Sequence, residues 1–375
     1  MLRMSFLNKF RRISSQRYIP EVDGLRFLAI MPVLIMHFRT VFFRYHSIYK
    51  VSETSSFFKR VDEWLVTGDV GVLVFFVISG FILSLPYAKA FKKGEKTIAY
   101  KTYLLRRLTR IEPPYFIVLI LLFCGHLYIN TADYEVLKSS FLASLFYCHN
   151  ISYGTWSIIN PVAWSLEIEI QFYLLVPFVT YLFKIKSNYI RHVLIVSLIF
   201  LFPYIASWTG VGHLSLLKYV QYFLAGFLVT DIYTSYKNNI HQFFILDFIG
   251  FISIILVFVL QYFKVRLFLP IVLSTLFLCV LYGSSIKKLF ANKLLSTIGG
   301  MCYTTYLIHL PVLVILMSIL DSYTLGFGFW VDFIFYITVI VPLTLIICSY
   351  TYLILEKPFM NKRWPQQFKA YILKR

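Results

Sequence analysis

Apolar runs of membrane-spanning length recur through this chain from Leu25 almost to its C-terminus. About 20 such residues in a helix cross the ~30 Å hydrocarbon core of a bilayer. No water reaches the backbone there, so each run is expected to satisfy its own N–H and C=O groups as a helix. The 375 residues are 59% hydrophobic and 14% charged, against roughly 45–50% and about 25% in a soluble domain. The expected fold class is therefore an all-α polytopic membrane protein with about ten transmembrane helices. No room is left for a second soluble domain.

The first span follows Asp23 and Gly24, read as N-cap and first turn. The second covers 68–88, after a polar loop over 44–67. A third begins at Pro113-Pro114, where proline is tolerated in a first turn, and ends near Ile129. In the loop after it, 136–147 is apolar enough to lie on the membrane surface. The fourth span starts at Trp164, and plainer runs follow at 190–207, 215–233, 243–263 and 267–284. The last two cover 298–320 and 330–355. Residues 1–17 form a basic N-terminal segment, 18–360 the membrane domain and 361–375 a basic tail.

A net charge of +19 would suggest nucleic acid in a soluble protein. Here the basic residues gather between spans, which the positive-inside rule explains with no nucleic acid and with membrane lipids as neighbours. With the N-terminus inside, 26 Lys and Arg fall in inner segments and 7 in outer loops. Both termini are therefore expected in the cytoplasm. The basic start and first apolar run lack a small-residue cleavage site and are read as a retained span. The five cysteines, scattered singly, form no metal-ligand or CxxC pattern.

Polar residues inside the spans carry the chemistry, because an ionisable group in lipid is expensive. Arg26 and His37 are eleven residues apart, which places both on one helix face about 16 Å apart along the axis. His309 lies eleven residues into a span of the same direction and reaches about the same depth. Glu169, five residues into an inward-running span, sits ~8 Å below the outer surface. The three could form one proton-handling site if the first, fourth and ninth helices are neighbours. Otherwise each is satisfied separately by a carbonyl or hydroxyl. On the cytoplasmic side, Arg106, Arg107 and Arg110 offer guanidinium forks suited to phosphate, with Arg107 and Arg110 on one face. With Arg26 they sketch an anion site beneath a path leading up to His37.

Taken in order, these motifs resemble the acyltransferase-3 family of membrane O-acyltransferases. Arg26 and His37 match its Arg-x10-His pattern within VDGLRFLAIMPVLIMHF, and GVLVFFVISGFIL (71–83) matches its second helix. RRLTRIEPPYF (106–116) and WSLEIEIQFYLLVP (164–177) match the third and fourth, with Glu169 at the usual carboxylate position. TYLIHLP (305–311) and LEKPF (355–359) match the last two helices. Glu167 departs from the pattern as a second carboxylate, and Pro113-Pro114 doubles a proline. No C-terminal extracytoplasmic hydrolase-like domain is fused to the chain, so it looks like the stand-alone form.

The resemblance implies a bacterial inner-membrane enzyme that passes an acyl group, most often acetyl, from cytoplasmic acetyl-CoA to a glycan hydroxyl. It implies Arg26, Arg106, Arg107 and Arg110 at the CoA phosphates, and His37 as general base or acyl carrier. Glu169 would then fix the imidazole tautomer, with His309 beside them. The acceptor would be a cell-surface or lipid-linked glycan; a homo-oligomer stays open. The rival class is a glycan or lipid flippase, but the inverted repeats and paired broken helices that transporters often show are absent from the sequence. The topology predicts that cysteines placed at Lys93 and at Asp133 label from opposite sides of the membrane. Labelling of both from one side would refute the orientation and the depths derived from it.

Overall fold

The computed structural model describes residues 7–12, 18–46, 56–236, 244–320, 328–361 and 364. Most of the expected tail, and much of the basic N-terminal segment, lie outside the described residues. Among those described there are helices and turns but no strand. In chain order the helices are α1 (Pro20–Tyr45), α2 (Ser56–Val66), α3 (Val70–Lys93), α4 (Tyr100–Tyr128), α5 (Tyr134–Leu145), α6 (His149–Tyr153), α7 (Trp164–Val179) and α8 (Asn188–Trp208). After them come α9 (Val220–Tyr236), α10 (Phe244–Tyr262), α11 (Leu269–Tyr282), α12 (Ser285–Phe290), α13 (Lys293–Gly300), α14 (Cys302–Leu320) and α15 (Phe329–Leu355).

Among the described residues, eight helical stretches are long and apolar enough to cross a membrane. The sixth and eighth expected spans are the shorter helices α9 and α11, of 17 and 14 residues. Several boundaries differ from the sequence reading. Helix α1 starts at Pro20, with Ile19 as its N-cap, so Asp23 lies inside the first turn and caps nothing. Helix α4 starts at Tyr100, which puts Pro113-Pro114 inside it; the apolar run had marked only its lipid-facing part. Residues 56–66, read as loop, are helical. The ninth span is broken at Met301, just after Gly299-Gly300, into α13 and α14.

Contacts divide the chain into two compact units. One comprises Met1–Val72, Gln261–Lys264 and Ala291–Arg375, the other Leu73–Leu260 and Val265–Phe290. In the first unit, α1 is held by residues too small to keep its neighbours away. A side-chain carbon on Gly68 would overlap the Pro32 carbonyl oxygen, one on Gly71 that of Ala29, and one on Gly299 that of Asp23. Further along, Leu34, Phe38, Val41 and Phe42 pack with Leu313 and Met317 of α14 and Phe333, Tyr336 and Ile340 of α15. Arg39 grips Asp62 of α2 through two bonds of 2.6 Å. Glu356 takes the Thr304 amide at 3.1 Å and its hydroxyl at 2.7 Å, satisfying donors in the first turn of α14.

The second unit repeats the device. Gly80 of α3 lies against the Phe223 carbonyl of α9, and Gly226 of α9 against that of Val77. Beside this crossing the Ser84 hydroxyl donates to Thr230 at 2.7 Å, and Phe172 stacks on Phe223 at 3.9 Å. The ends of α3, α8 and α9 meet around the buried carboxylate of Asp231. Arg191 lies 2.6 Å from it, His192 3.1 Å and Lys92 3.8 Å.

Close helix approach makes a stability contrast. Gly299→Ala forces a methyl into backbone and should cost about 1–3 kcal/mol. Gly125→Ala, with nothing within 4 Å of the new carbon, should be neutral or stabilising by up to ~1 kcal/mol. Thermal unfolding of the purified variants checks this; equal stability would contradict the approach of α13 to α1.

Candidate active site

Helix α1 carries His37 between Leu34 and Phe38, two residues that pack against α14. Seven residues into α14, His309 arrives at the same level, and the two ring centroids are 5.0 Å apart. The depths read from the sequence agree with this juxtaposition. His309 is fully buried, whereas His37 is only partly so.

The surroundings of His309 fix its protonation pattern. Its Nδ1 lies 3.0 Å from the Thr305 carbonyl oxygen and 2.9 Å from that of Tyr306. Carbonyl oxygens only accept, so Nδ1 carries the hydrogen and donates to both. The neutral ring therefore has a lone pair at Nε2. That atom is buried and has no hydrogen-bond partner among the described residues. An unmet acceptor thus sits beside the ring of His37.

At the start of α1, Arg26 is paired with Asp23, whose carboxylate also lies 3.4 Å from Arg12. Two guanidiniums share this one carboxylate. Half-buried Tyr18 lies beside it; burial first, and Asp23 second, push its phenol above the ordinary value. The Arg-x10-His spacing therefore holds in this unit, with the arginine already engaged at one end.

Glu169 stands in the second unit. Its carboxylate accepts from the Ser79 hydroxyl of α3 and is hydrogen-bonded to Tyr173, one turn further along α7. The three arginines of α4 separate by face. Arg106 is exposed, while Arg107 and Arg110 are partly buried. Arg107 interacts electrostatically with Tyr87, Tyr103 and Tyr173. The structure thus pairs His37 with His309, and places Arg107 near the tyrosine that holds Glu169.

Glu167, which the sequence marked only as an extra carboxylate, is 1% exposed. It accepts from the Asn150 amide at 2.8 Å and from that of His149, so it caps the short helix α6. The Arg191–Asp231 cluster went unread because each residue alone sits at an ordinary helix end. Their shared position at the inner ends of consecutive spans was the available signal. Among the described residues no group of three or more His, Cys, Asp or Glu could hold a metal ion.

Comparison with known proteins bears on what this arrangement does. Residues 19–353 match the profile of an acyltransferase domain, Acyl_transf_3. SACOL0978 of Staphylococcus aureus strain COL, a presumed O-acetyltransferase by its name, is 27% identical over 387 residues, 94% of this chain and 59% of that protein. The O-acetyltransferase OatA of S. aureus strain NCTC 8325 is 27% identical over 397 residues, 97% of this chain and 60% of that protein. The chain spans about three fifths of the length of the curated relatives it matches. No solved structure matches it.

Proposed function

The chain belongs to the acyltransferase-3 family, and from that premise we propose that it transfers an acetyl group from cytoplasmic acetyl-CoA to a hydroxyl of a cell-surface or lipid-linked glycan, in the bacterial inner membrane. The names of its relatives support acetyl as the group moved. The observation that carries the proposal is the buried, unmet Nε2 of His309 beside the more accessible His37. The rings are 5.0 Å apart, so a turn of the His37 ring lets one of its nitrogens donate a hydrogen to that atom and leaves the opposite nitrogen with a lone pair for the acceptor.

In this reading the sugar hydroxyl loses its proton to His37 as its oxygen attacks the thioester carbonyl carbon. The carbon–sulfur bond then breaks, and the departing thiolate takes the proton back from the imidazolium. His309 is a positioning residue, holding His37 in one tautomer as the third member of a catalytic triad does. Partly buried Arg107 and Arg110 suit the donor's phosphates. Exposed Arg106 is left to lipid headgroups. Glu169 contributes by fixing Ser79 and Tyr173.

General-base catalysis is typically worth 10²–10⁴-fold, so His37→Ala should lose that much acetyl transfer. Base-labile acetate on surface glycan, measured by mass spectrometry, should fall to the level of cells lacking the gene. Acetyl-CoA affinity of the purified variant should stay unchanged. Normal glycan acetylation by the variant would refute the role of His37, and acetylation unaffected by loss of the gene would refute the proposed activity.

A further inference from the structure

A cavity of about 670 Å³ lies beside α7 in the second unit. Its walls come from α7 and the turn Thr180–Lys184 that follows it, from α8, and from the stretch 216–224 that leads into α9. Every lining residue is Leu, Ile, Val, Phe or Tyr. Phe172, Val220 and Leu224 form a buried floor, whereas Leu175, Phe178 and Tyr181 are exposed along the rim. The cavity is therefore a cleft entered sideways, past apolar residues that face the bilayer.

Packed protein leaves few voids larger than a water molecule, and a void lined only by apolar groups does not hold water. Left empty, the cleft would deprive its lining of contacts. In a bilayer the filler at hand is a hydrocarbon chain. From Phe172 to Ile185 the lining follows α7 and its turn for about 20 Å. One leaflet's acyl chain spans about half of the ~30 Å core, so the cleft is long enough to hold it.

The two ends of the cleft differ in charge. At one end Lys184 and Lys186, both exposed, flank Ile185, whose side chain lines the cleft. The Lys184 ammonium stands 4.2 Å from the ring centre of Tyr181 and 5.7 Å from that of Phe91. Aromatic faces hold a cation without neutralising it, and Tyr181 belongs to the rim. Among the described residues neither lysine pairs with a carboxylate. The nearby Asp231 is engaged by Arg191, which also bonds the Ile185 carbonyl and so fixes this end of the cleft. The other end, at Leu216 and Leu217, is followed by the single cation Lys218. Basic residues beside a gap between membrane helices suit an acidic headgroup. We propose that the cleft binds one anionic phospholipid, its phosphate at Lys184 and Lys186 and an acyl chain lying along α7 toward Leu216.

The test is native mass spectrometry of the detergent-purified protein with dioleoylphosphatidylglycerol, which is anionic, and dioleoylphosphatidylcholine, which is zwitterionic. Wild-type protein should hold one lipid molecule and prefer the anionic one by about fivefold for each lysine. Joint replacement Lys184→Gln and Lys186→Gln should erase the preference and leave a lipid bound, because both side chains are exposed and the cleft is untouched. Leu175→Trp at the rim and Leu198→Trp in the wall fill the cleft, and each should remove lipid of either kind. The lysine variants keep the proposal open to refutation where a tryptophan variant fails to fold. Wild-type protein that retains no lipid, or tryptophan variants that retain as much as wild type, would overturn the cleft as a lipid site. Equal affinity of wild type for the two lipids, or a preference lost with Lys218→Gln and kept without Lys184 and Lys186, would overturn the headgroup assignment.

Discussion

Helix α1 meets its neighbours backbone to backbone, and the pairing of two imidazoles depends on that closeness. Gly68, Gly71 and Gly299 each lie against a carbonyl oxygen of α1 where a side-chain carbon would overlap it. Lipid tails are as apolar as leucine, so helices in a membrane associate by packing, and small residues let backbones come near. Beyond the glycines, Phe38 and Leu34 interlock with Leu313 and Met317, which sets the register of α1 on α14. The 5.0 Å separation of His37 from His309 follows from that register. A methyl's width of displacement would be comparable to the reach of a hydrogen bond.

Several buried charged groups in the helices are satisfied by groups of the protein itself. Asp231, with no exposed surface, is surrounded by Arg191, His192 and Lys92. Arg191 also bonds Asn188 at 2.6 Å and the Ile185 carbonyl. A carboxylate taken out of water is tolerable only with such company, and losing one partner leaves an uncompensated buried charge. Glu356 and Glu167 are likewise spent on backbone amides. Beside these, the Nε2 lone pair of His309 has no hydrogen-bond partner among the described residues.

The helical architecture was legible because a spanning helix writes itself as a long apolar run. His37 and His309 were legible together because rise per residue converts position into depth. Tertiary contact was hidden, and with it the tasks of particular residues. Glu167 and Glu169 are two residues apart, yet one caps α6 while the other faces Ser79 and Tyr173. Boundaries failed where hydropathy and helicity part company. Helix α4 runs on through its basic, water-facing end, and α13 stops at Gly299-Gly300 within an apolar stretch.

The most direct test of the proposed chemistry is the tautomer of His309, read by nitrogen NMR on protein labelled only at histidine, with His309→Gln used for assignment. The account predicts a protonated Nδ1 and an unprotonated Nε2 at His309. It further predicts that the Nε2 resonance shifts when His37 is replaced by alanine, because the ring proposed as its hydrogen-bond donor has gone. A hydrogen on Nε2, or an Nε2 resonance indifferent to His37, would mean that His309 does not position the base.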